Sequence, residues 1–196
     1  MEALEAIMTR RSNRKYLDRP VEKEKLEKIL EAGRAAPCGG NNRYNHFLVI
    51  RDKDIREKLI RLSEEAFRAM EVHEDTYPSL KTSILLSKRG GYVFSYHAPV
   101  IVIVANRKDY GNNRFDAAAA MENMLIAANA LDLGGCWVNQ IYWLNEYGPM
   151  KEYLEELGLK DNERAYGTVL LGYASTADGL PRRSLPSPKG NEVTWH

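Results

Sequence analysis

Five basic side chains, Arg10, Arg11, Arg14, Lys15 and Arg19, crowd the stretch TRRSNRKYLDRP between Thr9 and Pro20. Within it, Arg10-Arg11-Ser12-x-Arg14 interleaves guanidinium groups with a hydroxyl. Guanidinium groups make forked, charge-assisted contacts to phosphate, and a serine hydroxyl adds a short donor. At a helix C-terminus the backbone presents carbonyls, which repel an anion, so the side chains would have to do the binding. Basic residues also suit a helix C-terminus with no ligand at all. Alone, the stretch fits either a solvated charged turn or an anion site. A second basic pair, Arg182 and Arg183, sits in LPRRSLP near the other end of the chain.

Two further stretches have the composition of a site for a flat ligand. In AAPCGGNNRYNHF, residues 35–47, Pro37, Cys38, Gly39 and Asn41 combine close backbone approach with paired amide donors and acceptors. In LGGCWVNQI, residues 133–141, two glycines lead into Trp137, Val138, Asn139 and Gln140, an aromatic-amide run that could line a planar ring. Each also fits a plainer reading, a helix stop followed by a loop or a core strand. The chain lacks G-x-G-x-x-G, G-K-[ST], G-x-S-x-G and H-E-x-x-H patterns. His46, His73, His97 and His196 are scattered, with no metal-ligand spacing. Neither Cys38 nor Cys136 has neighbours that mark a nucleophile. This leaves a binding protein, or an enzyme whose reactivity belongs to a cofactor.

The bulk properties narrow the choice. A length of 196 residues fits one domain with a sizeable core. The 28 basic residues nearly balance 27 acidic ones, for a formal net charge of +1, so any anion site must be local and a nucleic-acid partner is not expected. No apolar run is long enough to span a bilayer. The opening MEALEAIM is short and carries two glutamates, unlike a secretory leader. The expectation is a cytoplasmic protein with two free thiols.

Several elements must position these residues. A short helix around Leu4 to Met8 precedes the arginines. PVEKEKLEKILEAGRAAP reads as a helix with Val21, Leu26, Ile29 and Leu30 on one face and Gly33 near its stop. HFLVI, residues 46–50, is a strand. DKDIREKLIRLSEEAFRAM is an amphipathic helix striped by Ile55, Leu59, Leu62, Phe67 and Met70. Glu71 to His97 has no clean period and reads as a partly helical excursion that could cover a pocket. APVIVIVAN and YGTVLLGYA are buried strands rich in β-branched residues, and CWVNQI reads as another. DAAAAMENMLIAANALDLGG is a helix apolar nearly all round, ending near Gly134, suited to a domain or dimer centre. EYGPMKEYLEELGL reads as a surface helix. Strands alternating with helices make this a mixed α and β layered domain.

In their order, these pieces resemble the FMN-dependent nitroreductase family. The family's R-x-S-x-R falls on Arg10, Ser12 and Arg14. Its A-P-S-G-x-N-x-Q-P-W-x-F falls on Ala36, Pro37, Cys38, Gly39, Asn41 and Phe47, with Cys38 in place of Ser and Arg43-Tyr44-Asn45 in place of Q-P-W. A buried helix then runs into Leu133 to Trp137, a strand ends at Leu170 to Tyr173, and a basic segment spans Arg182 to Leu185. The resemblance is colinear and covers most of the chain.

It implies an α+β sandwich, a central, mostly antiparallel sheet flanked by helices, forming an intertwined homodimer. One FMN-binding domain would span residues 1–196, with a variable substrate-channel region at about 64–97. Arg10, Ser12 and Arg183, with Arg11 and Arg182, would hold the FMN phosphate, and Arg14 would lie by the pyrimidine edge. Pro37, Cys38, Gly39 and Asn41 would face the partner protomer's flavin, and Trp137, Val138, Asn139 and Gln140 would run along the ring. The Ala117 to Leu131 helix would suit the dimer core, and the tail Val193 to Trp195 would reach the partner. The implied reaction is ping-pong: NADH or NADPH gives hydride to the flavin, then a nitroaromatic, quinone or flavin takes the electrons. No protein general base is required. Relatives on the same fold include dehalogenases, a flavin-destroying enzyme and enoate-type reductases, and a non-catalytic FMN-binding protein is a further alternative.

Overall fold

The computed structural model describes residues 1–186 and 190–196. The β-branched run VIVIV becomes the middle of a four-stranded sheet. Its strands are β1 (His46–Ile50), β2 (Val100–Arg107), β3 (Gly134–Val138) and β4 (Glu163–Gly172), antiparallel throughout in the order β1-β2-β4-β3. The sheet is open, with β1 and β3 at its edges.

Side chains of β2 alternate between two cores, as the period of a strand requires. Ile101, Ile103 and Ala105 join one cluster, and Val100, Val102 and Val104 join the other. Helices α2 (Lys23–Arg34) and α5 (Asn113–Ala130) cover the second face through Leu26, Ile29, Met121, Met124 and Leu125. The opposite face is covered by α3 (Lys53–Ala69), α4 (Pro78–Arg89), α6 (Gln140–Trp143) and α7 (Gly148–Glu156). Helix α1 (Ala3–Thr9) buries only Ala6 and leads into the arginine-rich segment. The α+β sandwich is thus a sheet between two helical layers.

Two readings of the sequence need correction. CWVNQI is not one strand: β3 ends at Val138, Asn139 leaves the extended region at φ −107° and ψ 7°, and Gln140 opens α6. EYGPMKEYLEELGL holds the expected surface helix, α7, which buries Met150, Tyr153 and Leu154 and exposes Lys151, Glu152 and Glu156. The alanine-rich helix stops at Ala130, short of Gly134. Asp132 makes the left-handed turn at φ 62°, and Leu133 N–H donates to Ala128 O at 2.8 Å. That six-to-one bond is a Schellman closure, with Asp where glycine is usual. Gly134 is free to begin β3.

The excursion holds one helix, α4, followed by an irregular run in which Gly90, Gly91, Tyr96 and His97 all have positive φ. Residues 64–69, which the family resemblance counts with the variable region, are the last turns of α3, as the amphipathic stripe through Phe67 implies.

Candidate functional site

The arginine-rich segment leaves α1 at Arg10 in an extended conformation, φ −55° and ψ 134°. It then lies along the exposed edge of β3. Ser12 bridges Gly135 in parallel, and Asn13 N–H donates to Gly135 O at 2.9 Å. Further on, Leu17 N–H donates to Tyr173 O and Ser175 N–H donates to Lys15 O, both at 2.9 Å. The segment covers a sheet edge that would otherwise present unpaired backbone. The approach requires Gly134, since a Cβ there would stand 2.6 Å from Asn13 Cγ.

This docking sorts the basic residues. Arg11, Ser12, Arg14 and Arg182 line one recess of about 210 Å³, together with Asn13, Lys15, Ser175 and Thr176. Arg10 does not line it. Arg10 Nε lies 3.4 Å from Glu122 Oε1 of α5, an ion pair without a hydrogen bond. Arg183 is directed elsewhere: it donates to Asn129 O at 2.6 Å, Asn129 Oδ1 at 3.1 Å and Asp132 Oδ1 at 2.6 Å. Its cation closes the carbonyl end of α5, where positive charge is favoured. Arg11 donates from Nε to Ser184 Oγ at 3.0 Å, which ties the C-terminal segment to the recess.

Within this segment, two guanidinium nitrogens remain buried with no acceptor among the described residues, Arg10 Nε and Arg11 Nη2. Buried donors without partners cost free energy, and an anionic ligand would supply the missing acceptors. Below them lies Cys136, whose thiol is raised chiefly by burial, with Arg14, Ser12 and Arg10 pulling it the other way. Burial also pushes the Tyr16 phenol well up, with Cys136 adding to it; Tyr16 donates to Asn13 O at 2.7 Å.

The loop residues occupy a different place. Pro37, Cys38 and Asn41 line a groove of about 1070 Å³ with Arg43, Tyr44, His46, Phe47, Arg107 and Glu163, among others. No residue lines both cavities. Gly39 starts the short turn Gly39–Asn41 above α5. Trp137, Val138, Asn139 and Gln140 line neither cavity. Trp137 Nε1 donates to Asn139 Oδ1 at 2.7 Å, and Gln140 Nε2 donates to Tyr92 Oη at 3.0 Å. Sequence reasoning missed Ser175 and Thr176, the hydroxyl pair just after β4. Among the described residues no three His, Cys, Asp or Glu side chains are grouped to hold a metal ion.

Comparison with known proteins shows the family and the fold. Residues 7–173 match the model of the nitroreductase family. The chain belongs to the nitroreductase family. A relative from Archaeoglobus fulgidus, provisionally named NADH dehydrogenase/NAD(P)H nitroreductase, is 34% identical over 176 residues, 88% of this chain and 85% of its own. A protein of the same provisional name from Methanothermobacter thermautotrophicus is 30% identical over 187 residues, 91% of this chain and 81% of its own. The crystal structure of a nitroreductase with bound FMN from Bacteroides fragilis superposes with a TM-score of 0.83 at 31% identity, covering 99% of this chain and 100% of that one. The nitroreductase fold expected from the motifs is the fold observed.

Proposed function

We propose that this member of the nitroreductase family is an FMN-dependent oxidoreductase that carries electrons from NADH or NADPH to a nitroaromatic, quinone or flavin acceptor. The observation that carries this reading is the recess of Arg11, Ser12, Arg14 and Arg182, with guanidinium donors still lacking acceptors beside it. Those residues fit a phosphate ester: charged forks, a short hydroxyl donor and local positive charge in a nearly neutral protein. FMN bound there would supply the hydride and electron chemistry, in ping-pong order, that no side chain of this chain offers.

The chain's own residues have binding and electrostatic tasks. Arg11, Ser12 and Arg182 would hold the phosphate. Arg10 joins them by exchanging Glu122 for a ligand oxygen, and Arg14 provides fixed positive charge where a reduced flavin is negative. The separation of the 37–41 loop from the recess supports a homodimer in which this loop of one protomer approaches the site of the other. Exposed apolar side chains, Leu4, Ile7 and Met8 on α1, Phe115 on α5, and Val193 and Trp195 in the tail, support the same assembly.

The direct test compares FMN with riboflavin by quenching of flavin fluorescence. Three charged contacts to phosphate predict that FMN binds at least about 100-fold more tightly, one or two such hydrogen bonds in size. Equal affinity for both would remove the recess from the phosphate role.

A further inference from the structure

One residue of the 37–41 loop has both of its backbone groups held by side chains at the start of α5. Gly39 N–H donates to Asp116 Oδ1 at 3.1 Å. Gly39 O accepts from Tyr110 Oη at 2.8 Å. A Cβ at position 39 would run into the Asn112 amide and the Tyr110 hydroxyl, so any larger residue would have to displace those side chains. Tyr110 is itself backed edge-on by Tyr44, with ring centroids 5.2 Å apart. The clamp is rigid on the helix side as well: Asn45 Nδ2 donates to Asp116 O at 2.9 Å, and Asn106 Nδ2 donates to Asn45 Oδ1 at 2.8 Å.

Asp116 is only 4% exposed, and its second oxygen, Oδ2, has no hydrogen-bond partner among the described residues. A buried acceptor left unpaired is a cost. Helix N-terminal charge alone does not require burial, since an acidic residue in the first turn interacts with the helix dipole equally from the surface. The buried placement is explained by what Oδ1 reaches, the amide of Gly39.

The same helix also carries Glu122, which pairs with Arg10 at 3.4 Å. Six residues of helix separate the two carboxyl groups, about 9 Å along the axis. A single rigid element therefore touches both the glycine loop and the basic segment.

The geometry points to Asp116 and Tyr110 as positioning residues for the cofactor site: they fix the Gly39 loop in the conformation that meets the flavin. This role rests on the FMN reading above. Neither residue contacts the recess, and neither need touch the ligand.

Two measurements on the full-length protein test it: FMN dissociation constants by fluorescence titration, and hydrogen exchange of residues 36–43 in the FMN-free protein. The variants are Asp116→Ala, Asp116→Asn and Tyr110→Phe. Asp116→Ala and Tyr110→Phe are expected to speed exchange of the loop and to raise the FMN dissociation constant about tenfold, the scale of one lost hydrogen bond. Asp116→Asn keeps an acceptor for Gly39 N–H and is expected to restore both readouts to near wild type. Faster exchange with unchanged FMN affinity would overturn the positioning role while leaving the clamp standing. Asp116→Asn as impaired as Asp116→Ala would overturn it too, since a buried carboxyl and not the Gly39 bond would then matter. Should Asp116→Ala fail to fold, Tyr110→Phe decides alone, and wild-type FMN affinity in it refutes the role. A wild-type protein that binds no FMN defeats the cofactor reading itself, and is told apart because the exchange difference would persist with no affinity to lose.

Discussion

Arg182 and Arg183 are neighbours in the chain and face different partners. Arg182 lines the basic recess, whereas Arg183 closes the C-terminus of α5 through Asn129 and Asp132. Arg182→Ala is expected to weaken FMN binding by about 1.5–3 kcal/mol with little change in melting temperature, because a charged hydrogen bond to the ligand is lost. Arg183→Ala is expected to lower stability by about 1–2 kcal/mol and to change FMN affinity much less. Fluorescence titration and thermal unfolding of both variants check the division, and interchanged phenotypes would reverse it. Arg14 has a kinetic task. Arg14→Ala should slow reduction of the bound cofactor by NADPH in stopped flow even with FMN saturating; an unchanged rate would remove Arg14 from that role. The residue types of this site were legible in the sequence as a basic run around a serine. Which arginine faces which partner was not, since that depends on the segment lying extended beside β3 and on Glu122, Asn129 and Asp132, all distant in sequence.

Among the elements, β1 and β2 were readable because HFLVI and VIVIVA are short β-branched or aromatic runs bounded by turns. The turn after β3 was less so: Trp137 to Ile141 has strand-like side chains, yet the Trp137 to Asn139 hydrogen bond and packing of Ile141 into the core favour a helical turn. Helix α4 escaped the periodic reading because Leu85 and Leu86 are exposed while Ser83 and Ser87 are buried. Its anchor is a chain of hydrogen bonds with fixed direction. Gln140 Nε2 donates to Tyr92 Oη, Tyr92 Oη to Ser83 Oγ, and Ser83 Oγ to Ser79 O, at 3.0, 2.9 and 3.1 Å. The terminal amide can only donate and the terminal carbonyl can only accept, which sets the order. Tyr92→Phe leaves Ser83 Oγ only the longer 3.4 Å bond from Gln140 Nε2 and should cost about 1 kcal/mol in urea unfolding. A stability equal to wild type would show that this chain does not hold α4.

Five acidic groups of the described residues resist ionising because burial disfavours their charged forms. Burial raises the Cys136 thiol above its usual 9.0, and the Tyr16, Tyr92, Tyr153 and Tyr166 phenols above their usual 10.0. As pH rises past those ordinary values the unfolded chain releases these protons while the folded chain keeps them. The unfolded state then binds fewer protons, so stability is full below about pH 9 and falls above it. The melting temperature is expected to drop steadily between about pH 9 and 11, and a flat profile there would contradict this placement of the five groups. No described helix is long and apolar enough to cross a membrane. The central claim concerns a cofactor, and it is tested most directly by the visible absorption spectrum of the purified, FMN-supplemented protein before and after anaerobic NADH or NADPH. The account predicts a protein-bound flavin band that bleaches with at least one donor. A protein that takes up no FMN, or a bound flavin that neither donor reduces, would contradict it.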